Sequence, residues 1–231
     1  MTPNIHIGLI VPASNTVMEP DFHRTISGLT ITSTWRIMLE SVTREAEITM
    51  LEEELPKCLE SLSETRPDIA VFGCTSAGSL DGLEHDAAIA RSIARATGAI
   101  TVTVMGAVVE QLQAIAPRRV AVFTPYQEEL TNSVAGCIAE AGYEAVNAQG
   151  MGILDNRDIG RVTPAEIADF VNQRMENQVA DCVFLSCTNW QAIGAIDPLN
   201  RRLGIPVISS NQATIDSVRR LVQSSRTAKH S

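Results

Sequence analysis

Three shortages bound what this chain can be. Aromatic side chains make up only 4% of its 231 residues, so a core of this size is filled mainly by aliphatic side chains and alanine, as in α/β proteins built from close-packed layers. Cations are scarce: 18 Lys and Arg stand against 27 Asp and Glu, a net charge of −9. With no excess of cations to neutralise phosphates, neither a nucleic-acid binder nor a basic membrane-surface protein is expected. An anionic small molecule met by local donors stays open. Long apolar runs are missing too. Residues 96–109 are the least charged stretch, and Glu110 ends it well short of a bilayer-spanning length. MTPNI runs straight into a strand-like segment without a basic n-region or a long apolar h-region, so no signal peptide is expected. Five cysteines are an odd number for a disulfide framework, and a cytoplasmic location with reduced thiols follows as the expectation. His6, His23 and His230 have no metal-ligand spacing with one another or with the cysteines. Neither a glycine-rich phosphate loop nor a dinucleotide fingerprint is present.

With 45% hydrophobic and 19% charged residues the chain is globular. Short apolar runs at residues 5–11, 69–72, 100–104, 120–123, 182–185 and 206–208 read as buried parallel strands. Helical patterns lie between them. Leu51, Leu55, Cys58, Leu59 and Leu62 fall on one helix face, and Leu130, Val134, Cys137, Ile138 and Ala141 repeat the spacing. Thr163-Pro164-Ala165-Glu166 is a helix start with a capping residue, Pro at the first position and Glu at the third. The tail from Ser224 is expected to fray. Strand–helix alternation of this kind predicts doubly wound parallel sheets.

An internal repeat refines that architecture. At an offset of 113 residues, Asp68-Ile-Ala-Val-Phe-Gly-Cys74-Thr75-Ser76 aligns with Asp181-Cys-Val-Phe-Leu-Ser-Cys187-Thr188-Asn189. The same offset lays Ile7-Gly-Leu-Ile-Val-Pro12 on Val120-Ala-Val-Phe-Thr-Pro125. Two Rossmann-like lobes with parallel sheets, related by a pseudo-twofold and facing each other across a cleft, are the expected fold. Residues 1–105 with 210–231 would form one lobe and 106–209 the other. Each lobe brings one cysteine to the carboxyl end of a buried strand, where open α/β sheets place their ligands.

Cys74 and Cys187 are therefore the candidate catalytic residues. A helix after each loop would lower the thiol pKa from about 8.5 and favour the thiolate. Its N–H groups, with the hydroxyls of Thr75, Ser76 and Thr188 and the Asn189 amide, would form a nest for a carboxylate. One thiol would serve as base or nucleophile and the other as acid. Cys58, Cys137 and Cys182 lie on apolar faces or within a strand and read as inert core. Asn15 fits two roles equally, helix N-cap and amide donor to a carboxylate. Tyr126, at the matching place in the second lobe, reaches the cleft or packs. Asn156 looks like an ordinary turn residue, and His85 like part of a solvated helix face.

These segments together (VPASNTVMEP, GCTSAGS, TPY, LDNRDIGRVTP and SCTNWQA) resemble the aspartate/glutamate racemase superfamily over essentially the whole chain. Within it, the closest resemblance is to the branch of maleate cis–trans isomerase and arylmalonate decarboxylase. The resemblance implies that Cys74 and Cys187 do the chemistry while Asn15, Asn156 and Tyr126 hold a dicarboxylate. It also implies a homodimer or higher homo-oligomer. Decarboxylases of this branch keep one of the two cysteines, so retention of both points to cofactor-independent isomerisation of maleate, or a close cis-dicarboxylate, to fumarate. A two-thiol racemase of an amino acid or hydantoin-like substrate is the alternative, and a two-lobed solute-binding protein is a further one. Trp190, bulkier than the aliphatic residue expected after Cys187-Thr188-Asn189, is the departure that would reshape the pocket.

Overall fold

The computed structural model describes residues 5–26 and 30–228. The chain start, residues 27–29 and the last three residues, including His230, lie outside them. In order, the elements are β1 (Ile5–Pro12), α1 (Met18–Thr25), β2 (Thr30–Ile37), α2 (Arg44–Thr49), α3 (Leu55–Glu64), β3 (Ile69–Phe72), α4 (Thr75–Ser79), α5 (Gly82–Thr97), β4 (Ile100–Thr103) and α6 (Val104–Ile115). They continue with β5 (Arg119–Thr124), α7 (Glu128–Glu140), β6 (Glu144–Gly150), α8 (Asn156–Ile159), α9 (Pro164–Met175), β7 (Cys182–Leu185), α10 (Ile193–Leu203), β8 (Val207–Ser209) and α11 (Ser210–Ala228).

The strands form two parallel four-stranded sheets, ordered β2-β1-β3-β4 and β6-β5-β7-β8. The repeat offset is a structural register. Ile7 pairs with Ile69 and Ile10 with Phe72, while Val120 pairs with Cys182 and Phe123 with Leu185. The same offset carries hydrogen bonds: His6 N–H donates to Asp68 Oδ2 at 2.8 Å, and Arg119 N–H to Asp181 Oδ2 at 2.8 Å. Gly73 N–H donates to Ile10 O as Ser186 N–H donates to Phe123 O. β3 and β7 are wholly buried, and β1 and β5 are buried except at His6 and Arg119, which is why their sequences read as apolar runs.

The six strands read from apolar runs are present, and β2 and β6 are additional. Both are edge strands, half-exposed and rich in Thr, Ser, Asn and Gln, so their hydrophobic signal is weak. Asn147, at φ 48°, accompanies a register shift between β5 and β6. The predicted face Leu55, Cys58, Leu59 and Leu62 is buried on α3. Leu51 instead sits in a π turn, Met50–Glu54, joining α2 to α3. Thr163 and Glu166 form the predicted capping box. α11 runs past Ser224 to Ala228, and the remainder of the tail lies outside the described residues. This helix packs along α6 and against α1, β4 and β8, while α4 and α5 pack against α7 of the second lobe. Among the described residues no helix is long and apolar enough to cross a membrane.

Candidate active site

Cys74 ends the loop after β3 and stands at the N-cap of α4. Its Sγ lies 3.4 Å from Glu47 Oε2, to which the thiol donates, and 3.5 Å from Ser76 Oγ. Cys187 follows β7. Asn189 N–H donates to its Sγ at 3.3 Å, the Tyr126 hydroxyl is bonded to the same sulfur, and its own N–H donates to Ser210 Oγ at 3.1 Å. No helix follows directly, since α10 begins only at Ile193. Both sulfurs line one cavity with Pro12, Asn15, Leu39, Val42, Glu47, Thr75, Ser76, Tyr126, Asn156 and Thr188.

That lining contains no cationic side chain, so an anion entering it meets neutral donors. Asn15 satisfies backbone N–H groups at the start of α1, whose N-cap is Val17. Its Oδ1 accepts the Val17 and Met18 N–H groups at 3.0 Å, and its amide donates to Thr188 Oγ1 at 3.0 Å. Thr188 Oγ1 donates in turn to Gly73 O at 2.9 Å, tying one cysteine loop to the other. Thr75 Oγ1 donates to Ser210 Oγ at 3.0 Å. Asn156 opens α8 and donates to Ser14 Oγ at 2.8 Å, so the apparent turn residue faces the site. Asn189 is placed differently: its Oδ1 accepts Thr16 N–H and its amide donates to Asn156 O, outside the lining. Trp190 lies outside as well, wholly buried with its ring edge-on to Phe170, so it packs the second lobe and does not shape the pocket. His85, on α5, donates from Nε2 to Ala77 O of α4 at 3.2 Å and makes no hydrogen bond to Cys74.

The thiols do not have the lowered pKa expected of them. Backbone N–H groups of Ala77, for Cys74, and of Asn189 and Trp190, for Cys187, do favour the thiolates. Burial outweighs them: the Cys74 thiol is held well above its ordinary value by desolvation and then by Glu47, and Cys187 is pushed up to about 12 by desolvation. Cys58, Cys137 and Cys182 are also raised by burial, to about 11, 12 and 12, as befits core cysteines outside the cavity.

Sequence reasoning missed Glu47, which is fully buried and accepts from Ser76 Oγ through its other oxygen. Burial raises its carboxyl to about 7, against the Ser76 and Cys74 bonds that lower it. The signal was the apolar stripe itself: four residues back from Leu51 along that helix face stands Glu47. Leu39 and Val42, also missed, come from the connection between β2 and α2, and Val42 N–H donates to Leu154 O of the other lobe at 2.9 Å. They line the cavity, whose volume of ≈ 10 Å³ is room for about one water.

Known proteins resemble this chain in sequence and fold. A maleate isomerase of Geobacillus stearothermophilus is 29% identical over 230 residues, covering 93% of this chain and 90% of the relative. An arylmalonate decarboxylase of Bordetella bronchiseptica is 29% identical over 212 residues, covering 91% of this chain and 85% of the relative. Liganded arylmalonate decarboxylase, in a mutant exchanging a glycine for cysteine and a cysteine for serine, superposes with a TM-score of 0.86 at 27% identity, over 95% of this chain and 93% of that one. Residues 7–231, which span both sheets and both cysteine loops, match the sequence profile of arylmalonate decarboxylase, and the chain belongs to that family.

Proposed function

We propose that the protein isomerises a cis-unsaturated dicarboxylate, with maleate to fumarate as the prototype, by transient covalent addition of Cys74. A relative named for maleate isomerisation and one named for arylmalonate decarboxylation are both 29% identical, so the choice rests on the site. The observation that carries it is the pair of cysteines, one from each lobe, lining one cavity furnished with amide and hydroxyl donors.

The chemistry balances without a co-reactant. The Cys74 sulfur forms a C–S bond to one alkene carbon as the π pair moves to the neighbouring carbon and into its carboxylate. Donors such as Asn15, Asn156 and the Thr75 and Thr188 hydroxyls stabilise the charge that develops there. The former double bond is now single and rotates. Cys187, hydrogen-bonded to Tyr126, either shields the carbanion or gives it a proton and takes that proton back before elimination. The electron pair then re-forms the alkene as the C–S bond breaks.

A proton NMR time course of the reduced protein with maleate in heavy water tests the reading. Wild type is expected to produce fumarate, and Cys74→Ala none. Unchanged maleate, with deuterium entering the α-carbon of an amino acid substrate instead, would replace isomerisation by the racemase reading.

A further inference from the structure

We infer that Glu47 is the base that takes the proton of Cys74 as its sulfur attacks. The assignment rests on the reading of Cys74 as nucleophile. Glu47 Oε2 is 3.4 Å from the Cys74 sulfur, and the hydroxyl of Ser76, two residues on in the same loop and helix start, holds Oε1. The carboxyl group is thus clamped from both sides with one oxygen facing the reacting atom. A fully buried carboxylate is costly unless paired or given a task. No cation meets this one: Arg44, on the same helix, turns away to Leu80 O and Asp81. The other titratable groups that sense Glu47 are Cys74 beside α4 and, from the second lobe, Tyr126 and Cys187. Every one is an acid, so Glu47 serves no ion pair among the described residues.

A base is what Cys74 lacks. Its thiol sits well above its ordinary pKa, so free thiolate is scarce near neutrality, while Glu47 titrates at about 7. Such a pair works by concerted transfer. The S–H bond breaks, its proton goes to Oε2, and its electron pair forms the C–S bond. On expulsion of the product the proton returns to sulfur. Neutralising Glu47 at that moment also removes a negative charge from beside the incoming carboxylates.

The test measures kcat/KM with maleate from pH 5 to 9 for wild type, Glu47→Gln, Glu47→Asp and Ser76→Ala. In parallel, alkylation of Cys74 by iodoacetamide is followed by mass spectrometry of its peptide. Wild type is expected to show an acid limb near pH 7 in both. Glu47→Gln should lose that limb and fall on the order of 100-fold or more at pH 7.5, while Glu47→Asp keeps it. Ser76→Ala should move the limb to higher pH, because the bond it removes favours the ionised carboxylate. A Glu47→Gln enzyme whose Cys74 alkylates with the wild-type pH profile would overturn the assignment, as would a wild-type Cys74 that iodoacetamide never modifies. If maleate is inert but the alkylation limb depends on Glu47, the substrate reading fails and the base stands.

Discussion

Glu47 sets function against stability within one residue. Its carboxyl titrates near 4.5 when exposed and at about 7 in the fold. Between those values the folded protein holds a proton that the unfolded chain has released, so stability falls as pH rises through that window. The full span is worth about 3 kcal/mol. Replacing Glu47 by Gln removes the ionisation and keeps the shape. The variant should therefore gain stability relative to wild type as pH rises, by about 2 kcal/mol between pH 5 and pH 8, while losing activity. Urea unfolding of both proteins at the two pH values measures the difference, and a pH-independent gap would show that Glu47 does not titrate in this range. Its signal in the sequence, a place on the apolar stripe, is faint for a physical reason. Glu45 and Glu47 together look like a solvated helix start with acidic residues where the helix dipole favours them, and only the three-dimensional closure of the Cys74 loop over that face buries the second one. Cys74, Cys187, Asn15 and Tyr126 were legible because strand ends repeated at a fixed offset carried them to one place. Trp190 misled because adjacency in sequence to Cys187 was taken for adjacency to the cavity.

At the scale of elements, legibility follows burial. β1, β3, β5 and β7 are enclosed on both faces, and their composition alone marks them. The edge strands β2 and β6 face solvent on one side, so Thr, Arg and Gln are acceptable there and the apolar pattern dissolves. β6 nevertheless positions the site. Its last residue, Gly150, passes so near the Tyr126 backbone that a Cβ would overlap Tyr126 O and come within 2.6 Å of Thr131 Oγ1. Thr131 in turn bonds Thr124 at 2.7 Å, whose Oγ1 accepts the Tyr126 N–H at 3.0 Å. Gly150→Ala must push the Tyr126 loop inward. A cost of about 1–3 kcal/mol is expected from the overpacking, accompanied by slower turnover because the Tyr126–Cys187 bond is displaced. Thermal unfolding and kcat for the variant provide the check, and a fully active, equally stable protein would mean that β6 only decorates the sheet edge.

For the whole molecule, the question is what makes two similar lobes into one site. The two sheets share one continuous hydrophobic core, and where the cysteine loops meet, buried polar groups from both sides satisfy one another. Thr188 is the junction: its hydroxyl accepts from Asn15 and donates to Gly73 O, the carbonyl immediately before Cys74. Asn211, at the start of α11, extends the seam by donating to Asp21 of α1 at 2.7 Å and to Thr188 O at 3.1 Å. Thr188→Val keeps nearly the same volume but strands the Asn15 amide and the Gly73 carbonyl in a dry interface. Each unmet group costs about 1–3 kcal/mol, so a loss of about 2–4 kcal/mol is expected. Because both partners belong to the first lobe and Thr188 to the second, the loss should come from the seam between lobes and leave the sheets themselves intact. Amide hydrogen exchange separates the two cases. Thr188→Val should raise exchange at residues 13–18 and 186–190 while the β1, β3, β5 and β7 amides keep their protection, and Thr188→Ser, which restores the hydroxyl, should reverse it. Uniformly faster exchange across both sheets would mean that the lobes fold as a single unit whose cooperativity does not depend on this junction.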